Sequence, residues 1–203
     1  MLELEEAIYK EGYKSIACID EVGRGCLAGD VLACAIIMPR ALRIEGVNDS
    51  KKLSEKKRLY LYDKIVENAV AIGIGRASAA LIDEINIKEA TKIAMKRAVG
   101  NIEDKEGKAV KADFLLIDAE KIEMNLPVKA VIKGDEKSHG IACASIIAKV
   151  YRDTLCARWD KQYEGYNIKK HKGYGTKEHR EKILELGPSS IHRLTFLKKI
   201  LNK

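Results

Sequence analysis

Asp20-Glu21-Val22-Gly23-Arg24-Gly25 sets two adjacent carboxylates before a glycine-flanked arginine, directly after the apolar run Ser15-Ile16-Ala17-Cys18-Ile19. Such a run reads as a buried strand, and a buried strand that ends in two carboxylates needs something to balance them. Hard divalent cations are the usual answer, because magnesium and manganese prefer carboxylate oxygens and a rigid strand end restrains the ligands. Glycines beside Arg24 remove side chains that would hold the backbone away from a polynucleotide, and the guanidinium can fork onto phosphate. The alternative is an exposed Gly-rich hairpin turn whose charges are solvated.

Two further positions repeat the pattern. Phe114-Leu115-Leu116-Ile117 ends in Asp118, and Asp135 follows the run Val128 to Ile132 in the same way. Carboxylates at the ends of several strands suit a two-metal site, in which ions about 4 Å apart activate a water and stabilise a leaving oxygen of a phosphodiester. Taken singly, Asp118 and Asp135 also fit aspartates that cap turns.

Basic residues gather at Ser50-Lys51-Lys52, at Lys149 with Arg152, and at Lys169-Lys170-His171-Lys172-Gly173-Tyr174-Gly175. Lys56, Lys57 and Arg58 read as the solvated start of a helix, whereas Ser50, Lys51 and Lys52 precede it and are better placed for phosphates. Tyr174, between two glycines in a basic loop, can present its ring to a sugar or base and its hydroxyl to a 2′-OH. His171, His179 and His192 are read as loop and helix-end hydrogen-bonding groups, since carboxylates are available for a hard metal. Asp153 is read as a structural ion-pair partner.

The elements that position these groups follow from hydrophobic period and punctuation. Val31 to Met38 is a second apolar run closed by Pro39, and so brief a connection from the first makes the pair antiparallel. Ser54 caps a helix over about 55–68, and Val70, Ile72 and Ile74 alternate as a third strand. Asn86 with Glu89 opens a helix, 100–111 is a surface connection, and Phe114 to Asp118 and Val128 to Ile132 are the fourth and fifth strands. A long helix from Ser138 to about Gln162 carries small residues, Ala142 to Ser145, for close packing on the sheet. A further helix lies between Thr176 and Gly187, and Phe196 to Leu201 is read as a closing helix rather than a docking peptide. Strands first, then strands alternating with helices, make an α/β mixed sheet covered on both faces.

A chain of 203 residues can bury one full core, and its formal charge of +7 favours a polyanionic partner. The five cysteines include no C-x-x-C pair, which argues against zinc or a disulfide framework. An acidic start and the lack of a membrane-length apolar run predict a soluble, cytoplasmic protein with no membrane association.

The segments D-E-V-G-R-G-C-L-A-G (20–29), N-D-S-K-K-L-S-E-K-K-R (48–58), K-G-D-E-K-S (133–138), A-S-I-I-A-K-V-Y-R-D (144–153), H-K-G-Y-G-T-K-E-H (171–179) and G-P-S-S-I-H-R-L-T-F (187–196) resemble, in order and spacing, bacterial ribonuclease HII. The resemblance covers nearly the whole chain. It implies a ribonuclease H-like mixed five-stranded sheet with helices on both faces, a catalytic domain at 1–163 and a helical C-terminal extension at 164–203 packed over the substrate groove. By similarity, Asp20, Glu21, Asp118 and Asp135 are the catalytic, metal-binding carboxylates for two Mn2+ or Mg2+ ions. Gly23, Arg24 and Gly25 read the 2′-OH, Tyr174 stacks on the adjoining deoxyribose, and Ser50, Lys51, Lys52, Ser145, Lys149, Arg152 and Lys172 complete the substrate-binding set. The implied activity is cleavage 5′ of ribonucleotides in RNA–DNA hybrids or of a single ribonucleotide in duplex DNA, leaving 3′-hydroxyl and 5′-phosphate ends, by a monomer whose docking to a replication or repair protein stays open. Cys26 and Asp30 stand where prolines are expected, Ala119 where glycine is usual, and Gly140 where a larger residue is common; Asp30 adds negative charge near the site. A DNA-only nuclease would ignore the 2′-OH, and a non-catalytic hybrid-binding module would lack a carboxylate.

Overall fold

The computed structural model describes residues 1–201. Its strands are β1 (Ile16–Val22), β2 (Val31–Ile37), β3 (Ala71–Ala77), β4 (Phe114–Asp118) and β5 (Val128–Val131), in the sheet order β3-β2-β1-β4-β5. β2 lies antiparallel between β1 and β3, while β4 runs parallel to both β1 and β5. The short 23–30 connection can only reverse the chain, whereas β1 to β4 requires a crossover through helices.

The helices are α1 (Glu3–Lys10), α2 (Glu55–Asn68), α3 (Ala79–Ile85), α4 (Ile87–Gly100), the short α5 (Gly134–Lys137), α6 (His139–Gln162), the short α7 (Ile168–His171), α8 (Lys177–Leu186) and α9 (Leu194–Leu201). Central β1 explains its own composition: Ile16 and Cys18 enter one apolar layer with α1, α2 and α6, and Ala17 and Ile19 enter the other with α3 and α4. A strand buried on both faces needs apolar residues without alternation. Ile168, Ile183 and Leu197 place α7, α8 and α9 in the same layer as α6. Caps fall where the sequence sets them: Ser54 accepts from Lys57 N–H, Asn86 from Lys88 and Glu89 N–H, Ser138 from Ile141 N–H and Thr176 from His179 N–H. Among the described residues, no helix is long and apolar enough to cross a membrane.

Several boundaries differ from the sequence-based expectation. β1 continues through Asp20 and Glu21, which pair with Cys34 and Ala33, because the long apolar β2 offers it a ladder to the end. The carboxylates therefore sit on the strand, not in the turn behind it. β3 runs three residues beyond Ile74, to Ala77. Gly73 and Gly75 within it meet the Ala98 and Ala94 carbonyls of α4, so any side chain there would push the helix off the sheet. β5 stops at Val131, and Asp135 lies in α5. Helices α1, α3 and the short α5 and α7 have no counterpart in the sequence reading. The closing helix is present as α9, with Leu197 fully buried.

Gly140 has a packing role that its helix propensity conceals. A Cβ there would fall 2.9 Å from the Cys18 Cβ and still closer to its sulfur, so the first turn of α6 lies directly on β1. Gly140→Ala is therefore expected to destabilise by about 1–3 kcal/mol through overpacking, against a propensity gain of at most about 1 kcal/mol. Thermal unfolding checks this; a raised midpoint would contradict so close a contact.

Candidate active site

Three segments converge at the carboxyl-terminal part of β1. β1 delivers Asp20 and Glu21, β4 delivers Asp118, and α5 delivers Asp135. Asp20 and Asp135 are each only 6% exposed. Asp20 Oδ1 accepts the Glu21 N–H at 2.8 Å, and Asp118 Oδ1 accepts the Gly134 N–H at 2.7 Å. Ser145 of α6, in hydrogen-bonding reach of Asp20, lies 2.9 Å from the buried Ser50 hydroxyl. Ser145 thus reaches the Asp20 carboxyl with the Ser50 hydroxyl as its own partner, and both serines, foreseen as substrate contacts, are buried.

Burial, then the neighbouring Glu21 and Asp118 charges, pushes the Asp20 carboxyl well above the ordinary range. Glu21 is raised by burial and Asp118, against the lowering pull of Arg24, and Asp135 is raised by burial, Asp118 and Asp49. Glu21 Oε2 is buried with no hydrogen-bond partner. Among the described residues, no three His, Cys, Asp or Glu side chains are grouped closely enough to make a ready metal cage. Asp118 is turned to the Gly134 N–H, and Glu21 Oε1 lies 3.4 Å from Arg24 Nη1.

Arg24 also meets Glu120 Oε2 at 3.1 Å, so it is held between two carboxylates. Sequence reading missed Glu120, although its place two residues after a strand-terminal aspartate is a usable signal. Asp49, buried beside Asp135 and accepting the Lys51 N–H at 2.9 Å, was also missed. Ala119 between Asp118 and Glu120 adopts φ 50°, the left-handed conformation that favours glycine.

The two glycines of the turn have different reasons. A Cβ on Gly25 would meet nothing within 4 Å, which leaves the backbone open to a ligand. Gly23 has φ 91°, and a Cβ there would collide with the Arg152 side chain. Arg152 itself corrects the expectation of a phosphate contact. It is fully buried, donating to the Ala28, Asp30 and Lys172 carbonyls at 3.1, 3.2 and 2.8 Å. From the C-terminal segment, Arg193 donates to the Gly23 and Arg24 carbonyls, both at 2.8 Å. Two buried guanidiniums thus hold the 23–30 loop by its carbonyls, a role set by tertiary contacts alone.

The remaining cations divide. Lys51 is exposed, Lys52 pairs with Glu136 at 2.5 Å, and Lys149 pairs with Asp153 at 2.7 Å, which gives Asp153 its structural partner. Lys172 is half-buried, its carbonyl taken by Arg152. Asp30 is neutralised locally by Arg76 at 2.7 Å, so its charge is balanced. Cys26, fully buried, forms a backbone β-bridge with Tyr174, a residue 42% exposed. The histidines are buried and hydrogen-bonded, as expected of them.

Burial holds His139 and His179 down at about 4, and lowers His192. An unfolded histidine titrates near about 6.5, so below that pH the unfolded chain takes up protons that the folded chain refuses. Histidine-linked stability is therefore complete above about pH 6.5 and lost as pH falls toward 4. The raised carboxyls have the opposite sign and offset part of the loss. Thermal midpoints from pH 7 to 4.5 are expected to fall more steeply in Asp20→Asn, which lacks part of that offset, and a flat profile in this variant would refute the assignment.

The described geometry has known relatives. The family model described as Ribonuclease HII matches residues 17–199. A protein named ribonuclease HII from Alkaliphilus oremlandii is 56% identical over 200 residues, which cover 98% of this chain and 98% of that one. The crystal structure of ribonuclease H2 from Pyrococcus horikoshii OT3 superposes with a TM-score of 0.74 at 22% identity, covering 93% of this chain and 98% of that one. Bst-RNase HIII in complex with Mn2+ gives a TM-score of 0.66 at 17% identity, covering 97% of this chain and 72% of that one.

Proposed function

Since the chain belongs to the ribonuclease HII family and is a ribonuclease H, we propose that it hydrolyses the RNA strand of RNA–DNA hybrids and cuts 5′ of single ribonucleotides embedded in duplex DNA. The products carry 3′-hydroxyl and 5′-phosphate ends. The observation that carries this reading is the open backbone at Gly25 beside a buried set of mutually repelling carboxylates.

Asp20, Glu21, Asp118 and Asp135 would hold two divalent ions, Mn2+ or Mg2+. In support, all four offer the hard oxygens such ions prefer, and Glu21 Oε2 is a buried donor atom lacking any partner. Bound, the ions supply Lewis-acid stabilisation of charge on the phosphate and a more acidic water. The chain's own groups bind and orient. The Gly23-Arg24-Gly25 backbone faces the 2′-OH at the junction, with the Gly23 and Arg24 carbonyls turned inward to Arg193. Tyr174 stacks on the neighbouring deoxyribose, and Lys51, Lys52, Lys149 and Lys172 meet phosphates along the strand. Lys52 first leaves its ion pair with Glu136, an exchange that an exposed pair allows at little cost, whereas Lys149 must leave a half-buried pair with Asp153. Segment 164–203 covers the substrate groove. Five free, buried cysteines suit a reducing compartment, and we place the protein, as a monomer, in cytoplasmic replication and repair.

End-labelled duplex DNA carrying one ribonucleotide, compared with all-DNA and all-hybrid duplexes under Mg2+, Mn2+ or chelator, tests this. The expected result is a metal-dependent cut immediately 5′ of the ribonucleotide, absent on all-DNA. Cleavage of long hybrids alone would remove the junction-reading role, and cleavage of all-DNA would overturn 2′-OH recognition.

A further inference from the structure

Tyr174 is exposed at its ring, yet its backbone is fully committed. Its N–H donates to the His171 carbonyl at 2.9 Å, and its carbonyl lies 2.9 Å from His179 Nδ1. A carbonyl only accepts, so His179 Nδ1 carries the hydrogen, and a neutral imidazole then leaves Nε2 as an acceptor. That Nε2 faces His192 Nε2 at 3.1 Å, which must donate. His192 Nδ1 is thereby an acceptor, and the Ser189 N–H, which can only donate, meets it at 3.0 Å. The Ser189 hydroxyl reaches the same nitrogen at 2.9 Å.

Both ends of this chain are groups without a choice of role, so only one proton arrangement of two neutral rings satisfies every contact. Both rings are almost inaccessible, His179 at 0% and His192 at 2%. His171 stacks on His179 with ring centroids 4.1 Å apart, donates to the Tyr166 carbonyl at 2.7 Å and accepts the Gly173 N–H at 3.2 Å, which fixes the residue before Tyr174. The order therefore runs from the turn before α9, through the first turn of α8, to the peptide that carries the exposed ring.

We propose that His192 and His179 are positioning residues: a tautomer-ordered relay from Ser189 to the Tyr174 carbonyl that sets where the Tyr174 ring meets nucleic acid. This rests on the reading of Tyr174 as the stacking residue at the RNA–DNA junction. Neither imidazole touches the carboxylate site, and their effect passes through backbone geometry.

The test has two arms. Nitrogen-15 NMR of the imidazoles in the wild-type protein at neutral pH is expected to find His179 protonated at Nδ1 and His192 at Nε2; any other pair of tautomers overturns the relay. In the second arm, His192→Asn places an amide near the Nδ1 position, keeping Ser189 but not reaching His179, while His192→Gln reaches the Nε2 position and can still donate. His192→Asn is expected to raise KM for duplex DNA with one ribonucleotide about tenfold, the effect of losing roughly one stacking contact, with kcat within about twofold. His192→Gln is expected to stay within about twofold of wild type in both. Equal losses in the two variants, or a fall in kcat without a rise in KM, would overturn the positioning role. If wild type cuts all-DNA and ribonucleotide duplexes alike, the functional reading fails instead, and the NMR arm still judges the relay. Should His192→Asn not fold, the wild-type tautomers and His192→Gln decide the matter.

Discussion

Asp20→Asn is expected to abolish hydrolysis while making the metal-free protein more stable. The asparagine keeps the shape of the side chain and can still accept the Glu21 N–H, which Asp20 Oδ1 takes at 2.8 Å. What it loses, on the proposed reading, is a charged ligand oxygen. Metal-assisted charge stabilisation is worth several kcal/mol, so activity should fall on the order of 10³-fold or more, while binding of the duplex persists. The stability gain has a definite sign. Burial, Glu21 and Asp118 raise the Asp20 carboxyl, so the folded state holds its proton more tightly than the unfolded chain, whose aspartates titrate near about 3.9. Stability from such a group is present at low pH and lost as pH rises, so at pH 7.5, where the unfolded aspartate is ionised, the raised carboxyl weighs against folding. The neutral amide removes that penalty, and each kcal/mol gained raises the midpoint by about 2–4 °C in a chain of this size. Calorimetry in chelator at pH 7.5 and pH 4.5 should show the gain at the higher pH and its decline at the lower. Added Mn2+ should raise the wild-type midpoint more than that of the variant. A lower midpoint in chelator, or retained cleavage, would show that Asp20 is not part of a repelling ligand set.

Arg193→Met is expected to destabilise the fold by several kcal/mol, about 3–5. Arg193 is fully buried, and its partners are backbone carbonyls: Gly23 at 2.8 Å, Arg24 at 2.8 Å and Gly29 at 2.7 and 3.0 Å. Burial lowers its pKa to about 10, which leaves it charged at neutral pH. Hydrogen bonds to a charged donor contribute about 1.5–3 kcal/mol each, and a buried carbonyl left without a donor loses about 1–3 kcal/mol. These terms are not additive, because a loosened loop admits water, and a net loss of about 3–5 kcal/mol is the expected scale. Methionine retains most of the volume, so the loss reports the hydrogen bonds rather than a cavity. Urea unfolding should show a lower midpoint, and the remaining folded protein should cleave more weakly, since Gly23-Arg24-Gly25 would no longer hold its carbonyls inward. A stability change under about 1 kcal/mol would mean that Arg152 and the neighbouring strand contacts hold the loop without Arg193.

Much of the site is legible along the chain because local rules carry it. An apolar run that ends in a carboxylate marks a strand terminus, and this set Asp20, Glu21 and Asp118 at strand ends, while the parallel pairing of β1 with β4 that brings them together is a feature of the fold. Ser54, Asn86, Ser138 and Thr176 announce helix starts because each side chain bonds an N–H two or three residues away. Asp135 was located by the same logic but belongs to a helical turn, since β5 ends as an edge strand at Val131 and nothing extends its ladder. Arg152 was misjudged because sequence gives an arginine's charge but not its depth: the same residue on another face of α6 would have met solvent and phosphate.

By itself, then, the sequence determined the family, the mixed sheet, the starts of α2, α4, α6 and α8, and the places of Asp20, Glu21 and Asp118 toward strand ends, because strand period, capping and adjacent motif residues are interactions between near neighbours in the chain. Tertiary structure alone decided what Arg152 and Arg193 do, and which partners the buried histidines take. Arg193 meets Gly23 across 170 positions, and Arg152 meets Ala28 across 124. Buried backbone carbonyls must find donors wherever folding brings them, and no local pattern records which distant side chain will supply the hydrogen.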